Sequence, residues 1–466
     1  MMGVHQPQDE LFTYKVNLDK RVRADHPLRR VAAVIDFTFV RAEVAASYGH
    51  NGHVSTDPAI LLKMMFLLFW DDIASERELM NIIPERLDYL WFLGYGLDNE
   101  IPNHSVLSKA RARWGKEAFE KFFTRTITQC VQVGLVDGRK LHVDSSLIDA
   151  DASRDSVLRS SPELIAALKQ AYRAQESKLE DSATPGCYEP VNDRMMSATD
   201  PDASITRKNS EPARPRYHHH RAVDDAHGVI TAVETTPGAI AENKKLIQLI
   251  DQHEANTQSK VETAVADRKY GTAENYIACQ ERGIRTHMDT FLTHRKDQAL
   301  GIIPDSEFKY QPHNDTFLCP AGQEMKPRRL SATRRTMEYY VPGRACLKCP
   351  LRESCTRSQT YGRTVQRHEK QDTIDTAKAQ AHSYAAKKDR RRRQILMEGS
   401  FADAANNHGF KRSRWRRLWR QQIQDWIIAG IQNIRTLLKA CKKQNSGANA
   451  LIEAVSPRTN WVDCFF

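Results

Sequence analysis

The chain has 466 residues, 40% of them apolar, so two or three domains are expected rather than one core. Lysine and arginine outnumber aspartate and glutamate by 69 to 58, a formal charge of +11 with a pI near 9.1, which favours a polyanionic partner. The most apolar run, Ile60 to Trp70, is broken by Lys63 and too short to span a bilayer, and Met1 to Glu10 lacks a secretory pattern, so a soluble intracellular protein without a membrane partner is expected.

Residues 1–135 read as a helical domain. Asp57-Pro58 starts a helix whose apolar positions Leu61, Leu62, Met65, Phe66 and Phe69 recur at helical spacing, and Ser75 with Glu78 forms a capping box for the next. Pro102-Asn103-His104-Ser105 opens a further helix through Arg111, Arg113 and Trp114, and another runs from Lys116 to Val133. Short helices with tight turns suit either a helix-turn-helix reader of DNA ends or a bundle that packs on a core.

Residues 136–289 read as the first part of an α/β core. Lys140 to Ile148 alternates as a strand, Ser153 to Leu179 is expected to be helical, and Glu180 to Arg216 has linker composition. Strands at His218 to Val223 and Gly228 to Thr235 flank the turn Asp224 to His227. Helix Asn243 to His253, strand Thr263 to Ala266, helix Ala273 to Gly283 and strand Ile284 to Met288 follow. Residues 290–380 form a basic, cysteine-rich insertion, 381–443 a helical completion of the core, and 444–466 a loose tail.

Three acidic segments carry the chemistry. Asp144 ends the run His142-Val143, Asp267 follows Ala264-Val265-Ala266, and Glu398 follows four arginines on a predicted helix. Two strand-borne aspartates and a later helix-borne glutamate suit two Mg²⁺ or Mn²⁺ ions that clamp the attacking and leaving oxygens of a phosphodiester. Asp149 and Asp151 are nearby acids with a loop role, and His219 and Asp224 are candidates for supporting the site from neighbouring strands, with a satisfied structural histidine as the alternative and preferred reading of His219.

The words around these acids resemble the DDE transposases of bacterial insertion sequences. Asp144-Ser145-Ser146-Leu147-Ile148 is similar to the first motif, Ala266-Asp267-Arg268-Lys269-Tyr270-Gly271 to the second, and Glu398-Gly399-Ser400-Phe401-Ala402-Asp403 with His408-Gly409 to the third. The resemblance spans about residues 50–440 and is nearest to the branch with a helical N-terminal domain and a cysteine-bearing insertion. It implies an RNase H-like catalytic core. It also implies metal-dependent cleavage of the element's ends and joining of the freed 3′-OH to target DNA. The partners implied are double-stranded DNA (terminal inverted repeats and target) and further copies of the chain, as a homodimer or larger synaptic assembly at the bacterial nucleoid. The sequence departs from the family at Gln394 and Ala405, where some relatives carry an arginine and a lysine, charges that Arg391 to Arg393 and Lys411 could replace, and at Ala241-Glu242, where relatives often read His-Asp. A DNA-binding relative without catalysis, and an RNase H-like nuclease without strand transfer, are the competing readings.

Cys319, Cys346, Cys349 and Cys355 form a second constellation. Cys346 and Cys349 have knuckle spacing and Cys319 precedes Pro320, so four thiolates for one structural Zn²⁺ are expected. Cys130, Cys187, Cys279, Cys441 and Cys464 are read as unligated. DNA contact is expected from Arg391, Arg392, Arg393, Lys411, Arg412, Arg414, Arg416, Arg417 and Arg420, since Lys411 to Lys443 holds ten basic residues against one acid, Asp425. Trp415, Trp419 and Trp426 are spaced for core packing, with base stacking as the alternative.

Overall fold

The computed structural model describes residues 16–49, 55–177, 194–207, 210–290, 301–341 and 345–445. The segment 178–193, Arg344, and the tail from 446 onward lie outside the described residues. The chain divides into two compact units, residues 1–261 with 394–466, and residues 262–393.

The first unit opens with short helices, among them Pro27–Val34, Pro58–Trp70, Glu76–Ile82, Leu87–Leu93, Ser105–Trp114 and Glu117–Gln132. Local chemistry sets their ends. The Asp57 carboxylate accepts the Ala59 N–H at 2.9 Å with Pro58 in the first helical position, and Ser75 Oγ accepts the Glu78 N–H at 3.1 Å. Gly94 stops Leu87–Leu93 at a φ of +83°. Ten of the 13 residues of Pro58–Trp70 are buried, so this helix is enclosed on all sides. Its core continues into the C-terminal helix Leu418–Asn445 through Ile423, Ile427, Ile431 and Ile434. Trp415 and Trp426 are buried in that core and Trp419 packs against it, as their spacing predicts.

The strands of this unit are β1 (Lys140–Asp149), β2 (Val157–Arg159), β3 (Met195–Ser197), β4 (Ser204–Thr206), β5 (Arg214–Asp224) and β6 (Ile230–Pro237). Strand β5 lies between β1 on one edge and β4 with β6 on the other, all antiparallel, and β2 pairs with β3. The helix expected from Ser153 is shorter. It starts at Pro162, where Ser161 Oγ accepts the Leu164 N–H, and the preceding residues turn into β2. Strands β3 and β4 occupy part of the stretch expected to be linker.

The outer edge of β6 is paired by side chains of the C-terminal helix. Asn433 takes the Ile230 N–H on Oδ1 and donates from Nδ2 to the Ile230 carbonyl, both at 2.8 Å. Gln422 does the same for Thr235 N–H (2.7 Å) and the Val233 carbonyl (3.3 Å). Two amides thus stand in for a neighbouring strand, which removes an open edge.

In the second unit, β7 (Thr263–Val265) pairs parallel with β8 (Arg285–His287), with helices Ala273–Glu281 and Gln371–His382 beside β8. Strands β9 (Lys309–Gln311), β10 (Thr316–Leu318), β11 (Glu324–Ser331), β12 (Thr336–Tyr340) and β13 (Thr364–His368) form an antiparallel meander around Phe308, Phe317, Met325, Tyr339 and Val365. The protein is therefore mixed α/β with a helical N-terminal region, and its antiparallel and parallel pairings are consistent with an RNase H-like topology. Among the described residues no helix is long and apolar enough to cross a membrane.

Asn433→Ala leaves the Ile230 N–H and carbonyl without partners inside the protein. Urea unfolding followed by tryptophan fluorescence should show a loss of about 2 to 4 kcal/mol.

Candidate active site

Asp144 lies mid-way along β1, directly opposite Arg221 of β5, and its Oδ1 accepts the Ser145 N–H at 2.8 Å. Glu242 reaches the same region by a turn. The Gly238 N–H bonds the Arg216 carbonyl at 2.9 Å, and a Cβ at Gly238 would sit 2.6 Å from that oxygen, so only glycine lets the chain leave β6 so tightly. Four residues later Glu242 is buried and accepts the Ser145 hydroxyl. Carboxylate oxygens of Asp144 and Glu242 lie within 4.8 Å of each other.

Behind Ser145 stands His218, its Nε2 3.0 Å from Ser145 Oγ and its Nδ1 3.0 Å from the Ile240 carbonyl. A carbonyl only accepts, so Nδ1 carries a hydrogen. The Ser145 hydroxyl has one hydrogen to give. It can give that hydrogen to Glu242 or to His218 Nε2. The carbonyl, imidazole, hydroxyl and carboxylate therefore form a continuous chain able to pass a proton to or from Glu242.

Asp267 lies in the second unit, two residues past β7, where it caps the turn Arg268–Tyr270 by accepting the Lys269 N–H at 2.9 Å. The glycine that ends its motif is a packing requirement, since a Cβ at Gly271 would lie 2.1 Å from the Asp289 carbonyl oxygen. Glu398 is exposed on the helix Tyr384–Asn407 and accepts Gln394 Nε2 at 3.1 Å. Gln394 is thus the residue that holds the glutamate.

Beneath Asp144 is a buried charge network. Arg221 is completely buried. Its Nε donates to His219 Nε2 at 2.9 Å, and its Nη1 donates to Ser400 Oγ at 2.7 Å and Gln432 Oε1 at 3.1 Å. His219 Nδ1 lies 2.9 Å from Asp425 Oδ2, and Asp425 also accepts Thr235 Oγ1 and Gln421 Nε2. Burial pushes His219 down to about 4, so it is a neutral acceptor for the guanidinium. Asp224, the other proposed supporter, caps the β5–β6 hairpin by accepting the Gly138 and Ala226 N–H groups.

The basic residues divide by partner. Arg391 and Arg392 are exposed and Arg393 is half-buried. Backbone bonds between Asp149 and the segment Lys411–Ser413 extend the β1 edge, and Lys411 Nζ donates to Ser146 Oγ at 2.7 Å, two residues from Asp144. Arg412 and Arg416 pair with Asp151, and Arg214 and Arg216 with Asp149. Arg414 pairs with Asp72 and the Leu68 carbonyl. Arg417 lies over Tyr172 and 3.7 Å from Asp200, and Arg420 lies over Trp419.

In the second unit Cys319, Cys346, Cys349 and Cys355 line one pocket, with Phe308 and Met325 at its apolar side. Cys319 Sγ accepts the Gln323 N–H at 3.3 Å across a turn that needs the +74° φ of Gly322. A Cβ at Gly362 would meet Cys346 Sγ at 2.7 Å. Burial, then the neighbouring thiols, raises Cys346. Among the described residues no three of these thiols lie within 4.8 Å of one another. The glutamate at 242 is the acid that sequence reasoning noticed but gave no role. Its only local signal was its place after Pro237-Gly238.

A histidine held down by burial binds its proton more readily in the unfolded chain. It therefore favours the folded state above pH about 6.5, and that contribution is lost as pH falls towards 4. Asp200, pushed up to about 7 by burial, acts in the opposite sense, so the effect is read as a difference between proteins. His219→Gln keeps a donor for Asp425 and an acceptor for Arg221 without titrating. Its unfolding free energy should fall less between pH 6.5 and 4 than the parent's, by up to about 3 kcal/mol.

Residues 16–113 match the family model of a transposase domain, DUF772, and residues 318–438 match that of a transposase DDE domain. No curated protein matches. A solved structure titled as the cryo-EM structure of a piggyBac transposase synaptic complex with hairpin DNA is 8% identical and covers 93% of this chain and 84% of that one. Its TM-score of 0.26 is too low to carry an argument. The two family matches place a transposase-type helical segment near the start of the chain and a transposase DDE domain over the stretch that contains Glu398.

Proposed function

We propose that the protein is a DDE transposase of the insertion-sequence type, which cuts the ends of its element and joins the 3′-OH to target DNA. The observation that carries this reading is the pairing of Asp144 with Glu242 on a strand and an adjoining turn, in a chain whose later part matches a transposase DDE domain. All-oxygen donors fit Mg²⁺ or Mn²⁺ and not a thiolate-seeking ion. Asp144, Asp267 and Glu398 form the DDE triad, with Glu242 as a fourth carboxylate. When bound, two such ions would lower the pKa of the attacking water or 3′-OH and stabilise the leaving oxygen.

The protein's own groups do the rest. The Ser145–His218 chain moves a proton at Glu242. Lys411, beside Ser146, and Arg391, Arg392 and Arg393 hold the phosphate backbone of double-stranded DNA, with Arg412, Arg416 and Arg420 as the wider basic surface, while Arg414 and Arg417 are turned to Asp72 and Asp200. Terminal inverted repeats, target DNA and a second copy of the chain in a synaptic assembly are the partners, at the bacterial nucleoid. The four thiols of the second unit hold one structural Zn²⁺. Their common pocket and the N–H donated to Cys319 support this.

Asp144→Asn, Asp267→Asn and Glu398→Gln should each abolish Mn²⁺-dependent nicking of a plasmid carrying the DNA that flanks the gene, and Glu242→Gln should slow it at least about tenfold. DNA affinity should stay within about twofold of the parent, because the basic groups are unchanged. Nicking by Asp144→Asn at the parental rate would refute the assignment.

Metal analysis of the purified chain should find about one Zn²⁺, lost in the Cys346→Ser, Cys349→Ser double variant. Equal metal in both proteins removes this pair from the ligands.

A further inference from the structure

The buried network under Asp144 contains a residue that none of the acidic motifs names. Arg221 faces Asp144 across the β1–β5 ladder, and directly opposed residues of an antiparallel pair share one face of the sheet. From there its Nη1 crosses to the helix that carries Glu398 and donates to Ser400 Oγ at 2.7 Å. The same nitrogen reaches Gln432 of the C-terminal helix at 3.1 Å, and Gln432 Nε2 in turn donates to the Ser400 carbonyl at 2.8 Å. Phe401, the next residue, lies with its ring 4.4 Å below the guanidinium carbon, and Phe410 lies at 5.1 Å. His219 and Asp425 close the other side.

Arg221 meets the Glu398 helix at Ser400, nearly opposite the exposed Glu398 around the axis, and at the Phe401 ring, about 60° from it, and Gln432 reaches the same helix at Ser400 and Asp403. Residues two apart on a helix lie nearly opposite each other around the axis. Fixing Ser400 therefore fixes the rotation of the helix, and with it the direction in which Glu398 points. The fork geometry matters. One guanidinium supplies Nε to His219 and Nη1 to Ser400 and Gln432, a set of directions that a single ammonium group cannot reproduce.

We propose that Arg221 is a positioning residue for the phosphoryl-transfer site: it clamps the Asp144 strand to the Ser400 turn and so sets how Glu398 is presented relative to Asp144. The inference rests on the transposase reading. Arg221 touches no substrate. It acts through Ser400, and Gln432 braces the same turn.

The test uses the full chain and the plasmid carrying the gene's flanking DNA, with Mn²⁺ at saturation. Arg221→Lys keeps the charge and loses the fork, and Ser400→Ala removes the acceptor with little change of volume. A misplacement of the order of 1 Å at a reacting centre costs up to about a hundredfold in rate. Arg221→Lys should therefore lower kcat by about thirty- to a hundredfold and Ser400→Ala by about tenfold, each with KM for DNA within about twofold. The double variant should be no slower than Arg221→Lys alone, because both changes break one clamp. A purely structural arginine would give losses that multiply. Should Arg221→Lys unfold, as its circular dichroism would show, Ser400→Ala with Gln432→Ala decides instead: equal single and double losses support the clamp and multiplied losses overturn it. A parental chain that nicks, with Arg221→Lys or Ser400→Ala nicking as fast, overturns this inference alone. A parental chain that neither nicks nor binds more Mn²⁺ than Asp144→Asn overturns the transposase reading, and this inference falls with it.

Discussion

Arg221 is a full positive charge with no access to water, and the first unit is arranged around answering it. Removing a guanidinium from solvent costs several kcal/mol unless opposite charge and hydrogen-bond acceptors are brought to it. Asp425 supplies the charge at one remove through neutral His219, Asp144 adds a second negative field across the ladder, and Ser400 and Gln432 supply oxygen acceptors. Two phenylalanine rings fill the remaining space and favour a cation over their faces. These groups come from four separate stretches of the chain, so the cation meets its acceptors only when β5, the Glu398 helix and the C-terminal helix are all in place. The same convergence keeps His219 uncharged: a second positive charge beside Arg221 would be unaffordable at that depth.

The C-terminal helix shows how a sequence can be both apolar at helical spacing and rich in amides. Its isoleucines enter the core, while Gln422, Gln432 and Asn433 are buried as well. Burying an amide is tolerable where each hydrogen finds a partner. Here the amides complete the edge of β6 and brace the Ser400 turn, so the helix serves as a neighbouring strand along one side and as core along another.

Much of this was legible in the residues. Asp57-Pro58 and Ser75 start helices because short-range capping decides those positions, and the β5–β6 hairpin follows from alternation around a turn-forming tetrapeptide. The tryptophans of the C-terminal region pack inward as their spacing requires. Strands β9 to β13 were not legible, because β11 exposes most of its side chains and shows no apolar alternation. Glu242 was not legible as a partner of Asp144, since the serine between them lies 97 residues away. A run of arginines reads as a charged surface, yet Arg414 is bound to Asp72, 342 residues earlier, and Arg417 lies beside Asp200. Charge counting sees the residue type and not the tertiary partner.

The principal core of the first unit draws on residues 28–127 and again on residues 397–434, with the whole of 262–393 between them. On the ribosome, the apolar helix Pro58–Trp70 emerges long before the helix that covers it. Until Ile434 has been made, the early helices lack part of their packing, β6 has a bare edge and Arg221 lacks Ser400 and Gln432. Synthesis through residue 434 therefore precedes assembly of the Asp144 neighbourhood. A polypeptide released early, by a premature stop or a frameshift before that point, would display the N-terminal segment without an ordered acidic site. The order of elements along the gene thereby couples completion of translation to possession of the reactive centre.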